Sequence, residues 1–256
     1  MSDIKIGLQL YSIRNEFSAD PAGTLKAVAE MGYDGVEFAG APKLSGVELR
    51  KLLDKNGLEC CGWHTGYNAV QPDTLAATVA LNKEVGNRFV IVPGLPGEKT
   101  ITRADWVAMG GLFSELAAKL ADEGMRTGYH NHSREFQPVE GEAPWDTFFS
   151  NTNERVVAQL DTGNAMAGGG DVLALLAKYP GRGATVHLKP FRAGTAETKD
   201  GFRPLIGDDS LPWTEILKLC KGPVGTEWCI VEYESDAFPP MEAVELNLKR
   251  LKELGY

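Results

Sequence analysis

The four histidines of this 256-residue chain are not scattered. His64, His130, His132 and His187 each close a short apolar run or lie just beyond one. Acidic residues keep the same company: GVEF carries Glu37, VVAQLD ends in Asp161 and WCIVE ends in Glu232. His130, Asp161, His187 and Glu232 thus close four successive runs. Two imidazoles and two carboxylates form a mixed nitrogen–oxygen donor set that suits one divalent ion (Mn²⁺, Mg²⁺, Co²⁺ or Zn²⁺), without the thiolates that select zinc or copper(I). His130 and His132 are two apart, so in extended backbone they share a side and Asn131 faces away. Either can ligate while the other contacts substrate or moves a proton, and His132 capping a loop is the plainer alternative. Lys189 lies two residues past His187, leans the same way, and could bind a substrate oxyanion.

Side chains at run ends become a site only if rigid elements hold the ends together. Ile4–Leu10, Gly35–Phe38, Leu58–His64, Phe89–Pro93, Met125–His130, Val156–Asp161, Ala184–Leu188 and Trp228–Glu232 read as strands. Amphipathic stretches follow them at Pro21–Met31, Ser45–Asn56, Pro72–Val85, Arg103–Glu123, Trp145–Phe149, Asp171–Tyr179, Pro212–Cys220 and Pro240–Leu254. Asp20 and Pro21 form a helix start, and Gly32, Gly57, Gly86 and Gly124 stand where helices stop. Eight such units over residues 1–256 predict one α/β domain, a single (β/α)8 TIM barrel. A doubly wound sheet is the alternative, but YSIRNEF after the first strand lacks a glycine-rich phosphate turn. Gly168–Gly170 reads as a flexible loop.

In such a barrel the strand ends gather at one face. Glu37 and His64 then lie across the barrel from the metal, as substrate-facing groups or as a structural pair. Trp63, Trp106, Trp145, Trp213 and Trp228 read as core. Lys189–Leu211, with Arg192, Lys199 and Arg203, is long enough to serve as a lid or binding loop.

Lys and Arg number 26 against 35 Asp and Glu, a formal charge of −9. That balance argues against a nucleic-acid partner, whose phosphates need clustered cations. Cys60, Cys61, Cys220 and Cys229 make no C-x-x-C pair and suggest reduced, packed thiols. No run has the length of a membrane span, and MSDIKIGLQLYSIRNEF lacks a basic stretch followed by an apolar one, so the expected location is cytoplasmic.

IGLQLYSIR, MGYDGVEF, GYHNHSREF, QLDTGNA, VHLKPF, PLIGDDSLPWTEILK and CIVEYE follow one another with specific order and spacing. With these segments the chain resembles the sugar phosphate isomerase/epimerase superfamily, the xylose-isomerase-like barrels, over essentially its whole length. The resemblance implies a divalent metal, most often Mn²⁺, on His130, Asp161, His187 and Glu232. In the better-known epimerases the strand-five and strand-eight ligands are both glutamates acting on opposite faces of the substrate carbon. Here strand five offers His130, and Asn164 stands where relatives often carry a substrate-touching histidine. His130, His132 or Glu135 would then supply the second proton-transfer group beside Glu232.

The function expected is a metal-dependent isomerase or epimerase with a small-molecule sugar, keto-sugar or polyol as its partner and Glu232 as base. A lyase on the same scaffold, an inosose-type dehydratase or a 3-keto-sugar deglycosidase, is the alternative. The apurinic-site endonucleases that share the barrel need more ligands and a basic face. A metal-free barrel that merely binds sugar is the non-enzymatic alternative, and a homo-oligomer is compatible with any of these readings.

Overall fold

Alternate residues of a strand point to opposite faces, so a run that is apolar throughout must be covered on both. The eight runs meet that demand in the computed structural model, which describes residues 4–41 and 43–255; the outer ends of the expected 1–256 domain lie outside the described residues. The strands are β1 (Lys5–Gln9), β2 (Gly35–Ala39), β3 (Glu59–His64), β4 (Phe89–Val92), β5 (Arg126–His130), β6 (Val157–Gln159), β7 (Thr185–Leu188) and β8 (Trp228–Val231). They pair in parallel in the order β6-β5-β4-β3-β2-β1-β8-β7. β6 and β7 meet through a parallel bridge between Asp161 and His187, where the His187 N–H donates to Leu160 O at 2.9 Å. The sheet thereby comes round into the expected (β/α)8 barrel.

The glycine and cap signals act where the sequence places them. Asp20 accepts from the Gly23 N–H at 3.0 Å, and the helix Pro21–Met31 ends at Gly32 with φ 96°. Ser45 and Glu48 form a reciprocal capping box for Gly46–Asn56, a device worth roughly 1 kcal/mol. Outward strand residues such as Leu8, Val36, Val186 and Val231 pack with Leu25, Leu49, Phe113 and Leu248 of the surrounding helices. All five tryptophans are buried.

Inward residues form two layers. Cys61, Phe89, Ile91, Val157, Ala184, Trp228 and Ile230 make an apolar plug. Further along β6 and β8 the interior turns polar: Gln159 and Asp161 lie two and four residues past Val157, and Glu232 lies two past Ile230. The site therefore stands on a packed floor.

Three expectations need correction. Gly168–Gly170 is not a flexible loop but follows directly on a short helix, Thr162–Ala167, that comes after β6. The Gly168 and Gly170 N–H groups close its end by donating to Asn164 O and Ala165 O. A Cβ at Gly168 would lie 2.3 Å from Ser133 O, so close packing rather than flexibility explains that glycine. The helix expected from Pro72 begins at Leu75, after a 3-10 turn at Tyr67–Val70. The segment 189–211 is not structureless, since Thr198–Gly201 forms a helical turn and Asp209 anchors it by accepting from Phe191 N and Trp213 Nε1. Among the described residues no helix is long and apolar enough to cross a membrane.

Candidate metal centre and active site

β5, β6, β7 and β8 end side by side, and their period-2 alternation turns His130, Asp161, His187 and Glu232 inward. One ligand atom from each of the four lies within 4.8 Å of the others. His187 bridges two carboxylates: Nδ1 sits 2.5 Å from Glu232 Oε2 and Nε2 sits 2.5 Å from Glu37 Oε2. His130 Nε2 faces Asp161 Oδ2 at 4.0 Å. Asp161 Oδ1 caps the helix Thr162–Ala167 by accepting from the Asn164 N–H at 2.7 Å, but Oδ2 is buried with no hydrogen-bond partner. A buried carboxylate oxygen left unpaired is costly. Its orphaned position, beside two imidazoles and a second carboxylate, fits a divalent cation of the kind the donor set suits.

The local charges differ from one ligand candidate to the next. Burial, partly offset by Lys189, pushes the Asp161 carboxyl up to about 7. Burial would push the His187 imidazole down, but Glu37 and Glu232 outweigh it and raise it to about 10. Burial, reinforced by the neighbouring His187 and His64, pushes His130 well down and keeps it a neutral ring with a lone pair to give. For Glu232, burial is overcome by Lys189 and His187, which hold the carboxyl well below its usual range. The lysine replies in kind: burial opposes its charge, yet Glu232, Asp161 and Glu234 raise its pKa.

A cavity of about 1190 Å³ opens above this cluster. His64, His130, His132, Asn164, Lys189 and Glu232 line it. Lys199 and Arg203, on the segment after β7, line it as well, whereas Arg192 turns away to donate to Asp208 O. Lys189 Nζ donates to Glu232 Oε1 at 3.1 Å and also to Glu234.

Two sequence readings change. Glu37 does not lie across the barrel from the ligand cluster and does not face the cavity. It is fully buried directly behind His187, with His64 Nε2 3.2 Å from its Oε2. The pairing of Glu37 with His64 is found; the substrate-facing role for Glu37 is not. Glu135 is likewise unavailable for proton transfer. It is fully buried and accepts from Tyr129 OH, Arg134 Nε and the His132 N–H, all at 2.8 Å. His132, the residue it braces, is exposed at the cavity and stands apart from the four-ligand cluster, leaving His130 as the strand-five member.

Sequence reasoning missed Gln9, Gln159 and Glu234. Gln159 Oε1 lies 2.8 Å from His64 Nε2 and 3.1 Å from His130 Nδ1, and its Nε2 donates to Glu37 Oε1 and Thr185 Oγ1, each at 2.9 Å. Gln9 Nε2 donates to Glu37 Oε2 at 2.8 Å. The signal was present: Gln159 precedes Asp161 by two and Glu234 follows Glu232 by two, so each shares its neighbour's side of the strand.

The xylose isomerase-like TIM barrel family matches residues 25–254. The chain belongs to that family. An inosose dehydratase of Clostridium beijerinckii is 26% identical over 247 residues, spanning 82% of this chain and 82% of that one. A crystal structure of a sugar phosphate isomerase/epimerase from Parabacteroides distasonis superposes with a TM-score of 0.82 at 22% identity, covering 98% of each chain. The zinc-bound protein IOLI superposes with a TM-score of 0.76 at 13% identity, again over 98% of each. At those identities the two structures speak to the fold.

Proposed function

We propose that this member of the family is a divalent-metal-dependent enzyme that removes a proton next to the carbonyl of a keto-sugar or polyol-derived ketone, and so isomerises or epimerises it. The observation that carries the reading is the orphaned Asp161 Oδ2 within a four-residue cluster of ligand atoms at the floor of the cavity. His130, Asp161, His187 and Glu232 would hold the ion, with manganese the first candidate and zinc supported by the ion in IOLI. An ion held by these four residues would supply Lewis acidity toward the substrate carbonyl and the charge that develops on its oxygen.

Glu232 borders the cavity and, kept ionised by Lys189 and His187, is the base. Lys189 offers its ammonium to a substrate oxygen, and its two carboxylate partners fix the direction of Nζ. Asn164 contributes a polar contact at the cavity wall. Epimerisation also needs a group to return the proton on the far face, and His132 is the exposed cavity residue suited to that task.

A second reading is elimination of water after the same proton abstraction. It is favoured by the similarity to an inosose dehydratase and by Glu135, the acid of the strand-five segment, being held away from the cavity. One experiment serves both readings. The metal-loaded protein is incubated in D2O with a panel of keto-sugars and inososes and followed by NMR. One exchanged proton with the carbon skeleton intact supports isomerisation; an enone or dione product supports elimination. Glu232→Gln with wild-type turnover rules out the assigned base.

A further inference from the structure

The polar layer beneath the cavity contains a hydrogen-bond chain whose direction is set by chemistry. It starts at a backbone N–H, which can only donate. Tyr11 N donates to Gln9 Oε1 at 3.0 Å, so the Gln9 amide nitrogen must be the end that meets Glu37. Glu37 is fully buried and acts purely as an acceptor. Its Oε2 takes Gln9 Nε2 and His187 Nε2, and its Oε1 takes Gln159 Nε2. That last bond orients Gln159, whose amide oxygen must therefore be the atom between His64 Nε2 and His130 Nδ1. An amide oxygen only accepts, so both ring nitrogens must carry hydrogen.

We infer that Glu37, acting through Gln159, fixes the ring tautomers of His64 and His130 and thereby presents Nε2 of His130 as a lone-pair nitrogen of the metal centre, while its direct bond with His187 Nε2 leaves Nδ1 of that ring as the nitrogen an ion would engage. The inference rests on the metal reading above only for what those lone pairs bind. The two nitrogens left over are the ones that face candidate ligand oxygens: His130 Nε2 looks toward Asp161 Oδ2, and His187 Nδ1 toward Glu232 Oε2. The barrel is also shaped around this carboxylate. Gly62 is paired with Glu37 across β2 and β3, and a Cβ there would lie 2.3 Å from Glu37 Oε1. Glu37 is a positioning residue: it does not line the cavity and is not one of the four ligand candidates, and it acts by orienting imidazoles, as outer carboxylates do for metal-bound histidines.

The test uses the full chain labelled with ¹⁵N-histidine, with long-range ¹H–¹⁵N spectra recorded metal-free and after addition of zinc. The metal-free spectra should show His64 protonated at Nε2 and His130 at Nδ1. The zinc form should show His130 protonated at Nδ1 and His187 at Nε2, each with its other nitrogen shifted by the metal. Glu37→Gln and Gln159→Leu should lower zinc affinity about 10–100-fold, with folding checked by circular dichroism and with mixed tautomers at His130. Opposite tautomers in the wild type overturn the inference, as do well-folded variants that bind zinc within twofold of wild type. A wild type that binds no zinc defeats the metal reading instead, and its metal-free spectra still decide the tautomers: His130 protonated at Nε2 overturns the inference.

Discussion

Replacing Asp161 by Asn should strengthen the metal-free protein at pH 8 while destroying its metal affinity. The carboxyl is fully buried and pushed up to about 7 from an ordinary 3.8, chiefly by burial. An acid whose folded pKa exceeds its unfolded one destabilises the fold when it ionises. That penalty is absent below about pH 4, grows between pH 4 and 7, and is complete above 7. Roughly three pKa units at about 1.36 kcal/mol each put it near 4 kcal/mol. Asparagine keeps the helix cap through its amide oxygen, but sets an NH2 where Oδ2 has no partner. An unsatisfied buried donor costs about 1–3 kcal/mol. The variant should therefore gain about 1–3 kcal/mol at pH 8 and lose a similar amount at pH 4. Urea unfolding in EDTA, followed by tryptophan fluorescence across that pH range, measures both signs. Saturating divalent ion should reverse the order at pH 8, because wild type alone gains about 4 kcal/mol at a thousandfold excess over Kd. A variant weaker than wild type by a constant amount from pH 4 to pH 8 would refute the reasoning, since Asp161 would then carry no buried-charge penalty.

Other substitutions separate the roles of neighbouring groups. Lys189→Met leaves Glu232 and Glu234 facing one another without their ammonium; it should cost about 3–5 kcal/mol and move the acid limb of the activity–pH profile upward. Glu135→Gln should lower the thermal midpoint through its contacts with Tyr129, Arg134 and the His132 N–H, with metal affinity held within about threefold. Gly62→Ala drives a methyl against Glu37 Oε1 and should weaken metal binding about tenfold or more without touching a ligand. His132→Gln should reduce turnover about 10²-fold or more if it carries the second proton, while calorimetry shows unaltered metal affinity.

The barrel was legible because its signals are local: apolar runs, helix caps, and glycines at helix ends. The four ligand candidates were legible because strand alternation and the barrel rule act together at strand ends. What escaped depends on orientation past a strand's end. Glu135 follows β5 closely, yet the chain bends there and delivers it to Tyr129, whose side chain packs with the outer core. Glu37 read as substrate-facing or as a partner of His64 because sequence places it on the inner side of β2 without showing that it is fully buried against His187 and His64. Gln9 and Gln159 were passed over because neutral amides signal no chemistry by type; their part emerges only when three strands bring them to one carboxylate. The helix Thr162–Ala167 left no amphipathic period to read, being short and built from small residues.

The account turns on one quantity, the number of divalent ions held per chain after equilibrium dialysis against micromolar Mn²⁺ or Zn²⁺ at pH 8. One ion per wild-type chain is predicted, with none retained by Asp161→Asn or His187→Gln variants that remain folded. A wild type that retains no ion, or variants that retain as much as wild type, would contradict it.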